Sequence, residues 1–247
     1  MNEQTKQELA MKAAAKVHAA WCEGELKAFH KRLVAALEEG KTVAEAMEQA
    51  CFKGDKRRNG FELHGEIDAS KLTTFEGFME QIKSGEIEVM RFTGRTLTEA
   101  EQAKAGKHYV NGQENILRPF EELSAASQAE NLSAAVGAVA VYEEYAKRGA
   151  TLEMLLSKEA QRPIGMLIHA DWMERNPVTE NNSYLFVKFD SLDDWTKGQD
   201  LDVFYAALGV IMEDPAKYAV AKEDNLPDLN PTARENAVIE AKVKTIK

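Results

Sequence analysis

One seven-residue block occurs twice in this chain, and that repetition limits the possible folds more than any other feature of the sequence. Val17-His18-Ala19-Ala20-Trp21-Cys22-Glu23 aligns without a gap on Ile168-His169-Ala170-Asp171-Trp172-Met173-Glu174, sharing His, Ala, Trp and Glu. A second block follows each copy in the same order: Pro119-Phe120-Glu121-Glu122-Leu123 corresponds to Lys188-Phe189-Asp190-Ser191-Leu192. The match continues beyond these blocks, pairing Leu132 with Leu201, Ala138 with Ala207, Val141 with Val210, and Asn131 with Asp200. Ordered self-similarity of this kind marks a repeated supersecondary unit. Each unit reads as a helix carrying His-x-x-Trp, a connection, an aromatic-acid-x-Leu turn and a second helix. The first connection is longer by about eighty residues, which makes residues 30 to 112 an insertion.

The expected fold is therefore mainly α: two related helical-hairpin units, with a small α+β insertion in the first. Residues 1–150 form the first unit, 151–220 the compact second unit, and 221–247 a C-terminal extension. Thr5-Lys6-Gln7-Glu8 reads as a capping box for a long amphipathic helix reaching Gly40, and Thr42-Val43-Ala44-Glu45 opens a shorter one. Thr73-Thr74-Phe75-Glu76 predicts a further helix inside the insertion. Glu86 to Phe92 is the best strand there, and Asn111-Gly112 marks a tight turn. Helical spacing returns from Ser124 to Gly149, then in a helix with Pro163 in its first turn that ends at Asn176-Pro177, and again over 193–212. A short helical stretch is expected after Pro215, then an extended linker over 225–231. The spacing of 237–247 is compatible with strand, helix or tail.

Composition removes several classes of function. The formal charge of −10 disfavours general nucleic-acid binding, which relies on basic residues to neutralise phosphates. The local exception is Lys53, Lys56, Arg57 and Arg58, flanked by Phe52 and Phe61, a pattern that also describes an ordinary solvated loop. No apolar run reaches the ~18 residues that span a bilayer, and no secretory pattern opens the chain, so a cytoplasmic protein without a membrane partner is expected. Two cysteines, Cys22 and Cys51, do not make a disulfide framework.

The ordered blocks resemble the RyR domain, the small repeat of ryanodine receptors that also occurs in bacterial and phage proteins. In that family a helix ends in His-x-x-Trp, and a Pro-aromatic-x-x-Leu-Pro segment precedes a helix opening with a Lys-Asp pair. Ile168-His169-Ala170-Asp171-Trp172, Lys188-Phe189-Asp190-Ser191-Leu192, Lys197 and Asp200 follow most of this pattern. Lys188 and Asp193 replace its prolines, Gly198 and Gln199 separate Lys197 from Asp200, and the first unit keeps Pro119 but lacks the Lys-Asp pair. The resemblance implies binding rather than turnover, of a nucleotide-derived small ligand or a protein partner; the competing expectation is a structural or protein-interaction protein of phage or bacterial assembly, or a homo-oligomer, with the repeats as scaffold.

A ligand would then lie at the polar end of each His-x-x-Trp helix. In the second unit His169, Trp172, Arg175, Asn176, Tyr184 and Lys188 are the candidates; in the first, His18, Trp21 and Arg118. Arginine gives a phosphate paired hydrogen bonds, an aromatic face stacks on a base, and imidazole offers a donor and an acceptor. An imidazole three residues before an indole also shares its helix face, and such a pair is more often a structural one that holds the loop between helices. His18 and Cys22 could supply two metal ligands, but no further pair has suitable spacing, so neither a metal nor a cofactor is expected. His64 and His108 stand alone, and no Gly-rich phosphate loop, HExxH or GxSxG occurs, so no catalytic residue is assigned. Glu121, Asp171, Glu174 and Asp190 could be acid catalysts in an arrangement without a motif, although surface solvation explains most acids better.

Overall fold

The computed structural model describes residues 1–51, 61–96, 99, 109–110, 113–180 and 182–245. The Lys53–Arg58 cluster, Phe52, His108 and the Asn111-Gly112 turn lie outside the described residues. The fold is mainly α with a small α+β insertion. Its helices are α1 (Glu3–Glu38), α2 (Val43–Cys51), α3 (Phe75–Ser84), α4 (Ala125–Lys147), α5 (Leu152–Leu156), α6 (Lys158–Arg175), α7 (Asp194–Glu213) and α8 (Pro231–Thr245). None of the helices among the described residues is long and apolar enough to cross a membrane.

Packing divides the chain into two compact units, residues 18–129 and residues 1–17 with 130–247. These do not coincide with the segments 1–150, 151–220 and 221–247, because contacts follow the helices while the segments follow the repeat. Each compact unit nevertheless holds one copy of the paired motif: His18, Trp21 and Phe120 in the former, His169, Trp172 and Phe189 in the latter.

In the 18–129 unit, a four-stranded sheet of order β1-β2-β4-β3 is built from β1 (Phe61–Gly65), β2 (Ile87–Thr96), β3 (Tyr109–Val110) and β4 (Gln113–Asn115). The strands pair antiparallel, with Phe61 opposite Arg91 and Leu63 opposite Val89. Phe61, Ile87 and Val89 enter a core with Leu26, Phe29, Leu33 and Ala36 of α1, Ala46 and Ala50 of α2, and Leu72 and Phe78. Burial of this contiguous apolar surface is the main stabilising contribution. Two polar side chains of β4 fasten the sheet to its neighbours. Asn115 Oδ1 accepts from the backbone N–H of Arg91 and Leu117, at 3.1 and 3.0 Å. The buried Glu114 carboxylate accepts from Ser124 N, from Ser124 Oγ at 2.8 Å and from Ser127 Oγ, placing negative charge at the N-terminus of α4 where the helix dipole favours it.

In the other unit, α6 presents Ile164 to Ala170 and Met173 as a buried stretch, and α7 and α8 both pack on this helix. Phe189, Met166 and Leu192 make a local cluster with Leu185 and Val187. Tyr218 is fully buried, and its carbonyl accepts from Tyr142 Oη at 3.2 Å.

Local capping explains most element ends and corrects several sequence expectations. Asn2, not Thr5, caps α1, accepting from Thr5 N at 2.8 Å, because its side chain reaches the first free N–H groups. The Thr42/Glu45 box forms as expected, Thr42 N donating to Glu45 Oε2 at 2.8 Å. The cap of α3 is Thr74 rather than Thr73, and its end is Gly85 in the left-handed region. α6 begins well before Pro163: Ser157 supplies the cap, and proline sits inside the helix. The stretch after Pro215 forms turns in place of a helix. The C-terminal segment is the helix α8, opened by Asn230, whose Oδ1 accepts from Ala233 N at 2.9 Å, and by Pro231 at its first position.

Glycine positions separate packing from propensity. A Cβ at Gly165 would collide with the Phe189 ring, whereas one at Gly24 of α1 meets nothing. Gly165→Ala is expected to destabilise by about 1–3 kcal/mol through overpacking. Gly24→Ala should stabilise by roughly 0.5–1 kcal/mol because it lowers the entropic cost of the helix. Urea denaturation of the two variants checks both signs.

Candidate functional site

The two copies of the motif form the same lock. A helix brings the histidine beneath a single 3₁₀ turn, Phe120–Glu122 in the first copy and Phe189–Ser191 in the second. His18 Nε2 donates to the carbonyl of Arg118 at 2.7 Å, and His169 Nε2 to that of Val187 at 3.0 Å. Both acceptors stand two residues before the aromatic residue of their turn. The histidine stacks on its tryptophan with ring centroids 5.8 and 5.9 Å apart, and lies 6.3 and 6.4 Å from Phe120 and Phe189. Both imidazoles are buried, at 3% and 2% exposure. A buried N–H aimed at a carbonyl satisfies two polar groups at once, and losing either partner leaves the other unpaired at about 1–3 kcal/mol.

The remaining candidates separate by unit. In the first copy Trp21 is half-buried, with the Arg91 guanidinium 4.9 Å from its ring centre, and Arg118 pairs with Glu88 at 3.2 Å. In the second, Trp172 also meets Phe186 at 5.3 Å. Arg175 Nε donates to Asp171 at 2.7 Å and its terminal nitrogen to Ser133 Oγ. Asn176 Nδ2 caps α6 through the Trp172 carbonyl at 2.8 Å. Tyr184 and Lys188 are both exposed. The structure thus brings His169, Trp172, Arg175 and Asn176 together along the C-terminal part of α6, with Arg175 engaged by Asp171 and Ser133.

Several participants escaped the sequence reading. Arg91 pairs with Glu25 and lies 5.6 Å from the Phe61 ring centre; Arg32 approaches the same ring at 5.2 Å. Burial pushes the Arg32 guanidinium below its ordinary range. His169 Nδ1 faces Asp200 at 3.3 Å, a contact that the matched Asp200/Asn131 position could have signalled. Glu235 and Lys242 of α8 also reach the second copy, with no sequence signal beyond their spacing.

Cys22 Sγ lies 3.4 Å from His18 Nε2, but burial, with Glu25 adding to it, pushes the thiol up to about 12, far from the thiolate that reacts or ligates. Among the described residues no group of three or more His, Cys, Asp or Glu side chains is arranged to hold a metal. His64 is exposed beside Glu62 at 3.3 Å, and Asp190 is paired with Arg162. No family model, curated protein or solved structure matches the chain.

Burial lowers the His18 pKa below its ordinary 6.5, outweighing the Arg118 carbonyl and the carboxylates of Glu121 and Glu114, which act the other way. The unfolded chain therefore binds a proton there more readily, and stability should fall as pH drops below 6.5. A second loss is expected below pH 4.5, where Glu8, lowered to about 2 by Lys217 and Lys12, gives up its ion pairs. Urea midpoints measured from pH 8 to 3 test this. His18→Gln, which keeps an N–H donor without a titration, should remove the loss that begins at pH 6.5 and leave the lower one.

Proposed function

We propose that the chain is a non-enzymatic interaction module, in which two RyR-like units serve as scaffold and a protein partner is bound on their surface. The observation that carries this reading is the lock itself. In both copies the histidine spends its Nε2 hydrogen on the main chain of its own turn, and both tryptophans stack on that histidine. The groups best suited to grip a nucleotide are thereby used internally. Tyr184 and Trp195, 65% and 70% exposed in the unit that holds the second copy, offer the large aromatic surface that interfaces favour. The same reading places the protein in the cytoplasm, with no cofactor.

One observation favours a second reading, a small anionic, nucleotide-derived ligand at the first copy. Arg91 Nε and a terminal nitrogen of Arg32 are buried without a hydrogen-bond acceptor. Both guanidiniums border Phe61, and Arg91 borders Trp21, so a phosphate there would supply the missing acceptors.

Thermal shift against adenine nucleotides, ADP-ribose and cyclic dinucleotides separates the two. The scaffold reading predicts no shift, whereas a ligand at a hundred times its dissociation constant adds about 2.7 kcal/mol of stability. A shift abolished by Arg91→Leu would replace the scaffold reading with a ligand at the first copy. A shift abolished by Arg175→Ala would place the ligand at the second.

A further inference from the structure

We propose that the face of α6 and its aromatic turn beneath α8 is a helix-binding site, that α8 fills it as a tethered, replaceable occupant, and that the α8 segment of a second copy of this chain can take its place. The inference deepens the interaction-module reading by naming the partner segment, and rests on that reading for the second copy alone.

The site reads charge and spacing along one helix face. Glu235, 1% exposed, accepts from the backbone N–H of Phe189 at 2.6 Å. Lys242, seven residues and two turns further on, donates to the carbonyls of Glu174 and Asn176 at 3.0 and 2.7 Å, and lies 5.9 Å from the Phe186 ring centre. The site therefore offers an N–H donor at one end and the carbonyls at the C-terminus of α6 at the other, where a cation is favoured. Between them α8 carries Val238 and Ile239. A helix with an acid, an apolar pair and a base at these intervals matches the site, and α8 shows that pattern in place.

The attachment of α8 suits exchange. Among its residues with described side chains only Glu235 is fully buried, and its polar contacts with the turn and with α6 stand at two ends of its docked face. The chain before it is fixed as far as Pro227, whose carbonyl accepts from Arg148 at 3.1 Å, leaving 228–230 as a short tether. A helix of about fifteen residues is marginal alone in water, so a released α8 has reason to dock elsewhere. Exchange of identical elements between copies needs no new interface chemistry.

The test uses the full chain and a fluorescent peptide of residues 228–245. In the wild-type chain the site is filled, and apparent affinity falls with the open fraction. Full-length Glu235→Ala/Lys242→Ala, whose own α8 is weakened, should therefore bind the wild-type peptide at least about tenfold more tightly than the wild-type chain does. A peptide carrying both substitutions should not bind. Equal binding of the two peptides, or no binding by a variant that keeps its circular dichroism, overturns the proposal. Should the variant not fold, hydrogen exchange of the wild-type chain in excess peptide decides. Faster exchange in 231–245 with α6 still protected supports replacement, and unchanged exchange refutes it. A nucleotide-induced thermal shift would overturn the scaffold reading while leaving this peptide result intact.

Discussion

A buried imidazole must hand its hydrogen to something, and in this protein both motif histidines hand it to a main-chain carbonyl two residues ahead of an aromatic turn. That bond fixes where each connection, long or short, returns to its helix. The returning turn then sets where the next helix starts: α4 after the first copy, with the Glu114 carboxylate at its N-terminus, and α7 after the second, capped by Asp193. The tryptophan stacks on the imidazole in both copies, and the turn's phenylalanine closes on it from another side. Gly165 leaves room for Phe189 to do so.

The lock was legible in the sequence because it is local in pattern, if not in distance. His, Trp, the turn aromatic and its leucine recur in fixed order, and the two copies agree in chemistry down to the acceptor carbonyl. Element ends were legible to within a few residues, since Ser, Thr and Asn cap by short-range hydrogen bonds; Asn2 and Ser157 displaced the expected starts for the same reason. What the sequence hid were long-range partners. Nothing in the spacing of Arg91 announces that β2 delivers it to Glu25 and Trp21, and nothing near Glu235 announces an N–H far earlier in the chain. The C-terminal segment was ambiguous because its apolar positions are few. Its helix is decided by Asn230, Pro231 and docking on α6.

The candidate site changes meaning once the partners are known. Residues chosen as ligand contacts, His169, Asn176 and Arg175 among them, already hold Val187, Trp172, Asp171 and Ser133. Arg91 Nε and a terminal nitrogen of Arg32, which flank Phe61, are among the buried groups that hold no hydrogen-bond partner. The repeated polar motif is used as fastening inside each unit, and the helix of the second copy carries α8 packed against it.

If the motif histidines are fasteners, the hydrogen on Nε2 reports it directly. Long-range ¹H–¹⁵N correlation spectra of the imidazoles at neutral pH, assigned by single His→Gln variants, report which ring nitrogen is protonated. A hydrogen on Nε2 of both His18 and His169 is the expected result. A bare Nε2 in either ring would contradict it, because a carbonyl oxygen can only accept and the lock would then have no donor.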